Sequence, residues 1–445
     1  MSAQTESRTD VIRNIPSGAS AYQFGRRRKS LAEILNELQR CADQPLQQAG
    51  TLPAEVYTNE DFYQWELENI FQPEWICLAH VSQIPKPGDF LNIDLLGEPL
   101  IVVRGKDNQV RVLSRVCPHR AMDIMPPGFG YDGYGPAEPK PDEPGRGQTR
   151  LFLCPYHAWT FELDGTLKAC PEMHLAEGFE RDDFRLQPFR SEVWNGFIFI
   201  NMDGQAAPLP ERLCEMNQDF AEWNAGEMKL IFQREWDCPF NWKVLVENFM
   251  ESYHHLGAHS KTLQPTMPAR DTWNEQEREA YIRCHLPVKE PILEEWQEME
   301  AGGGYPYGFP AIPQLSESKK KEAGLFSAFP CFLLFVLADR VIWYRGEPLG
   351  PHRMKLLTTI LVPAETTNHP DFGRMLEAEV KMLVDFHLED IEVCTAVQRG
   401  LCASGYQRGR LSHLEMSVWL FQRYLAARAR GTWPTRDRPA APSQR

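Results

Sequence analysis

The chain has 445 residues, 42% of them hydrophobic, and 61 acidic against 47 basic side chains give a formal net charge of -14. That length and apolar content suffice for two or three packed domains. The acidic surplus argues against nucleic acid or an anionic membrane as the main partner, because either needs a concentrated positive surface.

No apolar run approaches the roughly 18 to 20 residues that span a bilayer. The opening "MSAQTESRTDVIRN" lacks the apolar core of a secretory signal and carries acidic residues, so a cytoplasmic protein is expected. Eleven Cys, odd in number and scattered, do not form a disulfide framework. The short basic runs "GRRRKS" (25–30) and "SKKKEAG" (318–324) are read as solvated surface.

In chain order, residues 1–53 form an N-terminal arm with a helix over 30–42, where Leu31, Ile34, Leu35 and Leu38 share a face. The arm is expected to pack on the body of the chain or on a neighbouring subunit. Asn59 is a good N-cap for a second helix, "NEDFYQWELENIF", with acidic residues in its first turn. From "EWICLAHV" the pattern becomes short alternating runs broken by Pro, Gly and Asn, which predicts an all-β domain closing near residue 202. A domain over 54–205 is drawn accordingly. Within it, twelve of the 22 residues at 126–147 are Gly or Pro, a density that no regular element survives, so an inserted surface loop is expected. Residues 206–432 mix helix and strand, with antiparallel strands over 332–363 and helical periodicity over 371–430. A flexible tail is expected over 433–445.

The β domain holds "VCPHRAM" and "LFLCPYHAW", which offer Cys117, His119, Cys154 and His157 as C-x-H followed by C-x-x-H. Structural zinc is one reading, since Cys2His2 is also a zinc set. Each short loop, however, supplies one thiolate and one imidazole. That interleaving suits a two-iron cluster with both thiolates on one iron and both imidazoles on the other, an arrangement that raises the reduction potential and relays single electrons. Pro118 and Pro155 stiffen the loops, and Trp159 offers bulk beside them.

These residues resemble the Rieske iron-sulfur domain. Two departures stand out: the usual Gly after "CPHR" and "CPYH" is Ala121 and Ala158, and the 34 residues between His119 and Cys154 are about twice the family's customary spacer.

A second constellation lies in "NWKVLVENFMESYHHLGAHSKTL" (241–263), which places three of the twelve His in six positions beside Glu247, Asn248 and Glu251. Two imidazoles and one carboxylate on one face of a ferrous ion leave positions open for dioxygen. The segment resembles the catalytic motif of the Rieske non-haem iron oxygenases from Asn241 to His259. The resemblance implies His254 and His259 as ligands, His255 as a neighbour facing solvent or substrate, and a third ligand from a distant helical Asp. In "VDFHLEDIEVCTAVQRGL" (384–401), Asp390 shares a stripe with Leu383, Phe386, Cys394 and Val397, whereas Glu389 lies with Met382, Asp385 and Glu392. An unpaired carboxylate on an apolar stripe costs several kcal/mol, so Asp390 is the expected ligand; a buried Asp bonded to backbone amides or an Arg is the alternative.

The resemblance covers about residues 54–430. It implies an α+β chain: an all-β Rieske [2Fe-2S] domain, then a helix-grip (START-like) catalytic domain with an antiparallel sheet and a mononuclear Fe(2+). It also implies a homotrimer, with or without a β subunit, in which a neighbour's cluster feeds each iron through an acidic bridge at the place of Glu251, with Asn248 beside it. No G-x-G-x-x-G follows a predicted strand and no C-x4-C-x2-C run is present in the chain, so a separate NAD(P)H-dependent reductase, with or without a ferredoxin, is expected as partner.

Glu rather than Asp at the bridge resembles the branch acting on carnitine, glycine betaine and related quaternary amines. The expected function is therefore a terminal oxygenase that hydroxylates or oxidatively demethylates a small substrate. An aromatic ring-hydroxylating α subunit and a non-catalytic Rieske electron carrier stay open beside it. The aromatic loop "AGGGYPYGFPAIP" (301–313), Trp343 and Tyr344 are candidate rings for a trimethylammonium head or an aromatic acid.

Overall fold

The computed structural model describes residues 29–124 and 145–433, and its contacts divide the chain into two compact units. One unit is Trp75–Pro210. The other joins the residues up to Glu74 with those from Glu211 onward, so residues 54–74 belong with the catalytic segment and the β unit starts at 75 rather than 54. The reason is packing: this stretch is helical and buries Phe62, Ile70 and Phe71, the last edge-on against Trp242 at 5.0 Å.

The N-terminal segment opens with α1 (Leu31–Ala42). Ser30 and Glu33 form a reciprocal capping box at its start, and Ile34 and Leu38 are buried. Asp43 and Gln44, just past its end, bond Arg430 and Trp419, so the arm packs on its own chain. The Asn59 side chain caps α2 (Glu60–Glu66) by accepting from the Phe62 amide at 2.9 Å, as expected.

The β unit contains β1 (Trp75–His80), β2 (Asp89–Leu95), β3 (Glu98–Arg104), β4 (Val110–Ser114), β5 (Arg146–Gln148), β6 (Phe152–Leu153), β7 (Thr160–Phe161), β8 (Leu167–Ala169), β9 (Pro188–Trp194) and β10 (Phe197–Asn201). A seven-stranded sheet runs β1-β10-β9-β4-β3-β2-β5, and β6-β7-β8 form a small second sheet. Most of the Gly/Pro-rich insertion lies outside the described residues. Its last two positions, Arg146 and Gly147, pair with β2 as an edge strand, so the loop is shorter at that end than expected.

The other unit is built on a second seven-stranded sheet. Its strands are β11 (Met228–Cys238), β12 (Trp273–Asn274), β13 (Tyr281–Pro287), β14 (Glu322–Ala328), β15 (Phe332–Val336), β16 (Val341–Pro348) and β17 (Met354–Pro363), in the order β11-β17-β16-β15-β14-β13-β12. The pairings are antiparallel. The helices that bear on the site are α3 (Trp242–Phe249), α4 (Phe372–Cys402) and α5 (Met416–Ala429).

Helix α4 has 31 residues and is thus about 46 Å long. Its buried positions Met375, Glu379, Leu383, Phe386, His387, Ile391, Cys394 and Gln398 recur at helical spacing, and His387 stacks on Trp236 of β11 and Tyr344 of β16. The long helix thus lies on the sheet, as a helix-grip fold requires. Val397 leaves the stripe and is 45% exposed. The fold is α+β, and among the described residues no helix is long and apolar enough to cross a membrane.

The run at 318–324 is not free basic surface, since Lys319 bonds Glu222 at 2.9 Å and sits over Trp223. In the run at 25–30, Lys29 pairs with Glu37 and Glu55, and residues 25–28 lie outside the described residues. So does the expected tail beyond Trp433.

Candidate active site

In the β unit the two Cys/His loops have one geometry. The Cys117 amide donates to Met122 O at 2.9 Å and the Cys154 amide to Trp159 O at 2.8 Å. The Ala121 and Ala158 amides return to the Cys117 and Cys154 carbonyls, both at 3.0 Å. Closing each turn takes a left-handed residue, and Ala121 (φ 55°) and Ala158 (φ 59°) adopt that conformation despite the roughly 1 kcal/mol or more it costs an L side chain. The family's glycine is thus explained by the backbone, and its replacement by alanine leaves the loop shape intact.

Cys117 and Cys154 are buried beside Phe152, Trp159 and Phe161. The His119 and His157 rings lie 4.6 Å apart, and Trp159 stacks on His119 at 4.7 Å and 4°. Two features fit a metal cluster. The Nδ1 atom of His157 is buried without a hydrogen-bond partner among the described residues, as a ligand nitrogen would be. Burial pushes the Cys117 thiol up to about 11 when no metal is bound, while the His119 and Arg120 amides point at its sulfur and favour the thiolate.

The second site forms where α3, the turn after it and α4 meet. Asn241 caps α3 by accepting from the Lys243 amide at 3.0 Å. The helix ends at Phe249, and a 3-10 turn, Tyr253–Leu256, sets His254 in place. One nitrogen each of His254 and His259 and one Asp390 oxygen lie within 4.8 Å of one another. His259 Nε2 is 2.9 Å and His254 Nε2 3.7 Å from Asp390 Oδ1.

Burial alone would raise Asp390, but His259 and His254 bring it below the usual carboxylate range. Burial alone would lower His259, but Asp390 and Glu389 raise it. The close His259–Asp390 contact thus pairs opposite charges, and the donor set fits the two-His, one-carboxylate iron site.

The far nitrogens of both imidazoles are held by carboxylates. His254 Nδ1 donates to Glu251 Oε1 at 2.7 Å, and His259 Nδ1 donates to Glu389 Oε2 at 2.8 Å, where Thr262 also donates at 2.9 Å. Asn248 Nδ2 donates to Asp390 Oδ1 at 2.8 Å. Helical spacing groups Glu389 with Met382, Asp385 and Glu392, off the apolar stripe; the signal that finds it is the second nitrogen of a ligand His, which needs an acceptor. Replacing it by Ala is expected to weaken iron binding about 10- to 100-fold in a chelator competition, with the iron-sulfur absorption unchanged. Undiminished iron affinity would show that Glu389 does not orient His259.

Glu247 does not face the iron site; it accepts from Tyr57 at 2.7 Å, and burial pushes it up to about 7. His255 is buried, with Nδ1 3.1 Å from Met267 O, and therefore does not face solvent. A cavity of about 50 Å³ adjoins the three ligand candidates, lined among others by Phe249, Phe335, Tyr344, Phe386 and His387. Trp343 and residues 301–313 are not among its lining residues. Trp343 is adjacent to Tyr344 on β16 and so points to the opposite face. The 301–313 loop is tied elsewhere, by Arg340 to Tyr307 O at 2.6 Å and by the Phe309 amide to Asp339 at 2.9 Å. A larger groove of about 710 Å³, between α1 and residues 406–410, carries both signs of charge but no group of metal ligands.

A β unit with two matched Cys/His loops, and a sheet-and-helix unit with a His, His, Asp cluster, define an oxygenase with two iron centres. Residues 74–180 match the model of the Rieske [2Fe-2S] domain, and residues 226–431 that of the ring hydroxylating alpha subunit (catalytic domain). The carnitine monooxygenase oxygenase subunit of Escherichia coli (strain K12) is 30% identical over 82% of this chain and 88% of its own length. The biphenyl 2,3-dioxygenase subunit alpha of Rhodococcus jostii (strain RHA1) is 32% identical over 48% of this chain and 44% of its own. A solved quaternary ammonium Rieske monooxygenase superimposes with a TM-score of 0.70 at 25% identity, covering 87% of this chain and 97% of that one.

The chain belongs to the Rieske non-haem iron oxygenases, the family of ring-hydroxylating alpha subunits. It is a terminal oxygenase, an oxidoreductase that incorporates O2, with a Rieske [2Fe-2S] cluster and a mononuclear iron, and it works with a separate reductase. The reading as a pure electron carrier is thereby set aside.

Proposed function

We propose that the protein hydroxylates or oxidatively demethylates a small N-methylated amine, a quaternary ammonium compound first of all. The observation that carries this reading is the extent of the likeness. The carnitine monooxygenase oxygenase subunit aligns along 82% of the chain, whereas the match to the biphenyl dioxygenase subunit covers 48%. The acid on His254 is Glu251, as expected for the quaternary-amine branch, and the aromatic faces of Phe249, Tyr344 and Phe386 around the cavity suit a cationic head.

In this reading Cys117, His119, Cys154 and His157 hold the cluster, and His254, His259 and Asp390 hold the iron. When bound, the two centres supply single-electron relay and dioxygen activation. The chain's own residues orient them. Asn248 fixes the Asp390 carboxylate by donating to Oδ1. Glu389 keeps the proton of His259 on Nδ1 and so leaves Nε2 for the metal. Glu251 does the same for His254 and also accepts from the His254 amide at 3.0 Å, a rigid hold that suits a bridge to the cluster of a neighbouring subunit.

The assembly proposed is a homotrimer in the cytoplasm, where the cysteines other than Cys117 and Cys154, none of them in a disulfide, stay reduced. Electrons come from an NAD(P)H-dependent reductase, with or without a ferredoxin. The test is an aerobic assay of the iron-loaded protein with a surrogate reductase on carnitine, betaines, choline and benzoates. Amine-dependent O2 uptake with demethylated or hydroxylated amine products is expected. Turnover of benzoates with none of the amines would defeat the proposal.

A further inference from the structure

Helix α4 brings one more imidazole to the cavity, that of His387, which neither metal centre needs. The ring is 3% exposed and stacks between Tyr344 (5.2 Å, 11°) and Trp236 (6.0 Å, 16°). Trp236 is itself fixed by donating to Thr358 Oγ1 at 3.0 Å. His387 Nδ1 lies 2.9 Å from the Leu383 carbonyl. A carbonyl only accepts, so Nδ1 carries the proton and Nε2 carries the lone pair. Burial pushes the pKa down to about 4, and the ring stays uncharged at neutral pH. Among the described residues Nε2 has no hydrogen-bond partner.

Several other polar groups of the cavity are acceptors too, whereas Asn248 and Tyr344 can donate. His255 is committed through Nδ1 to the Met267 carbonyl, so its Nε2 is also an acceptor. Glu251 and Asp390 are acceptors, and no Lys or Arg occurs among the described residues that line the cavity. A substrate carboxylate held by the lining residues would lose its hydration without meeting a Lys or Arg, at a net cost. A substrate hydroxyl would meet a fixed acceptor.

We infer that His387 is a specificity-determining residue whose Nε2 accepts a hydrogen bond from a substrate hydroxyl, so that the cavity takes an N-methylated amino alcohol and rejects a carboxylate-bearing betaine. This rests on the reading of the substrate as an N-methylated amine. A site built to bond a hydroxyl discriminates against analogues that lack it, because its own polar group is then left unpaired.

The test is equilibrium binding under anaerobic conditions, with the iron-loaded protein, three amine probes (choline, its O-methyl ether and glycine betaine) and benzoate. Choline is expected to bind about tenfold tighter than the ether, and betaine at least about tenfold weaker than choline. In His387→Phe, which keeps a flat ring between Tyr344 and Trp236, choline and its ether should bind alike. Equal binding of choline and ether by the unmodified protein overturns the inference whether or not the variant folds, and so does a surviving preference in a folded variant. Tighter binding of betaine than of choline overturns this inference and leaves the amine reading standing. Binding of benzoate with none of the three overturns both.

Discussion

An Asp390→Ala protein is expected to purify with its iron-sulfur absorption intact, to hold about two irons per chain where the unmodified protein holds about three, and to turn over more than about 100-fold more slowly. The magnitude follows from comparison with outer partners, whose loss alone costs about 10- to 100-fold; removing a ligand must cost more. Glu389 cannot take over, because it is held against the opposite nitrogen of His259. Without Asp390 the site keeps two neutral imidazoles and no negative charge, a poor match for a hard divalent ion. The Asn248 amide loses its acceptor, a loss of about 1 kcal/mol that leaves the fold standing. Anaerobic iron analysis, visible absorption and O2 uptake together check the expectation. Three irons and undiminished turnover in the variant would place the catalytic metal elsewhere.

Asp390 was legible in the sequence because a helix converts spacing into direction: Leu383, Phe386 and Cys394 mark the buried stripe, and all three are buried. His254 and His259 were legible because one short segment carries both. The Cys/His loops were legible for the same reason, and Ala121 and Ala158 keep the backbone conformation that the family's glycines would give. What the sequence hid depends on contacts between distant segments. Glu389 reads as a surface acid until His259, 130 positions away, is brought against it. His387 lies on the buried face, but its role at the cavity depends on Tyr344 and Trp236, which arrive from two strands of the sheet. Trp343 and Tyr344 are equivalent in composition and differ only in which face of β16 each occupies. Position in the chain puts residues 54–74 with the β domain, although Tyr57, Tyr63 and Glu66 bond Glu247, Pro348 and Lys243, far along the chain.

One of those partners gives the largest expected effect on stability. Lys243 Nζ lies 2.6 Å from Glu66 Oε1, and both side chains are fully buried, so the pair ties α2 to α3, the helix that carries Asn248. The Trp242, Phe62 and Tyr57 rings surround the ammonium at 5.2, 5.4 and 5.6 Å. Replacing Lys243 by Met would leave Glu66 as a buried acid without its cation, and a cost of roughly 3 to 5 kcal/mol is expected. Burial already raises Glu66 above the usual carboxylate range, even with the lysine opposing it, and losing the lysine raises it further.

The sign of the pH dependence follows. A carboxyl whose folded pKa exceeds its unfolded value binds its proton more tightly when folded, so the folded state loses stability as pH rises from the unfolded pKa towards the folded one. The deficit of Lys243→Met should therefore be larger at pH 8 than at pH 5. Adding Glu66→Gln removes the charge and should recover most of the loss at pH 8, because dismantling both halves of a buried pair is far cheaper than breaking it. Urea unfolding of the iron-loaded variants at the two pH values measures this directly. A single variant that loses less than about 1 kcal/mol, the range of an exposed pair, would mean that water or another cation reaches Glu66 and that the pair does not hold the N-terminal segment.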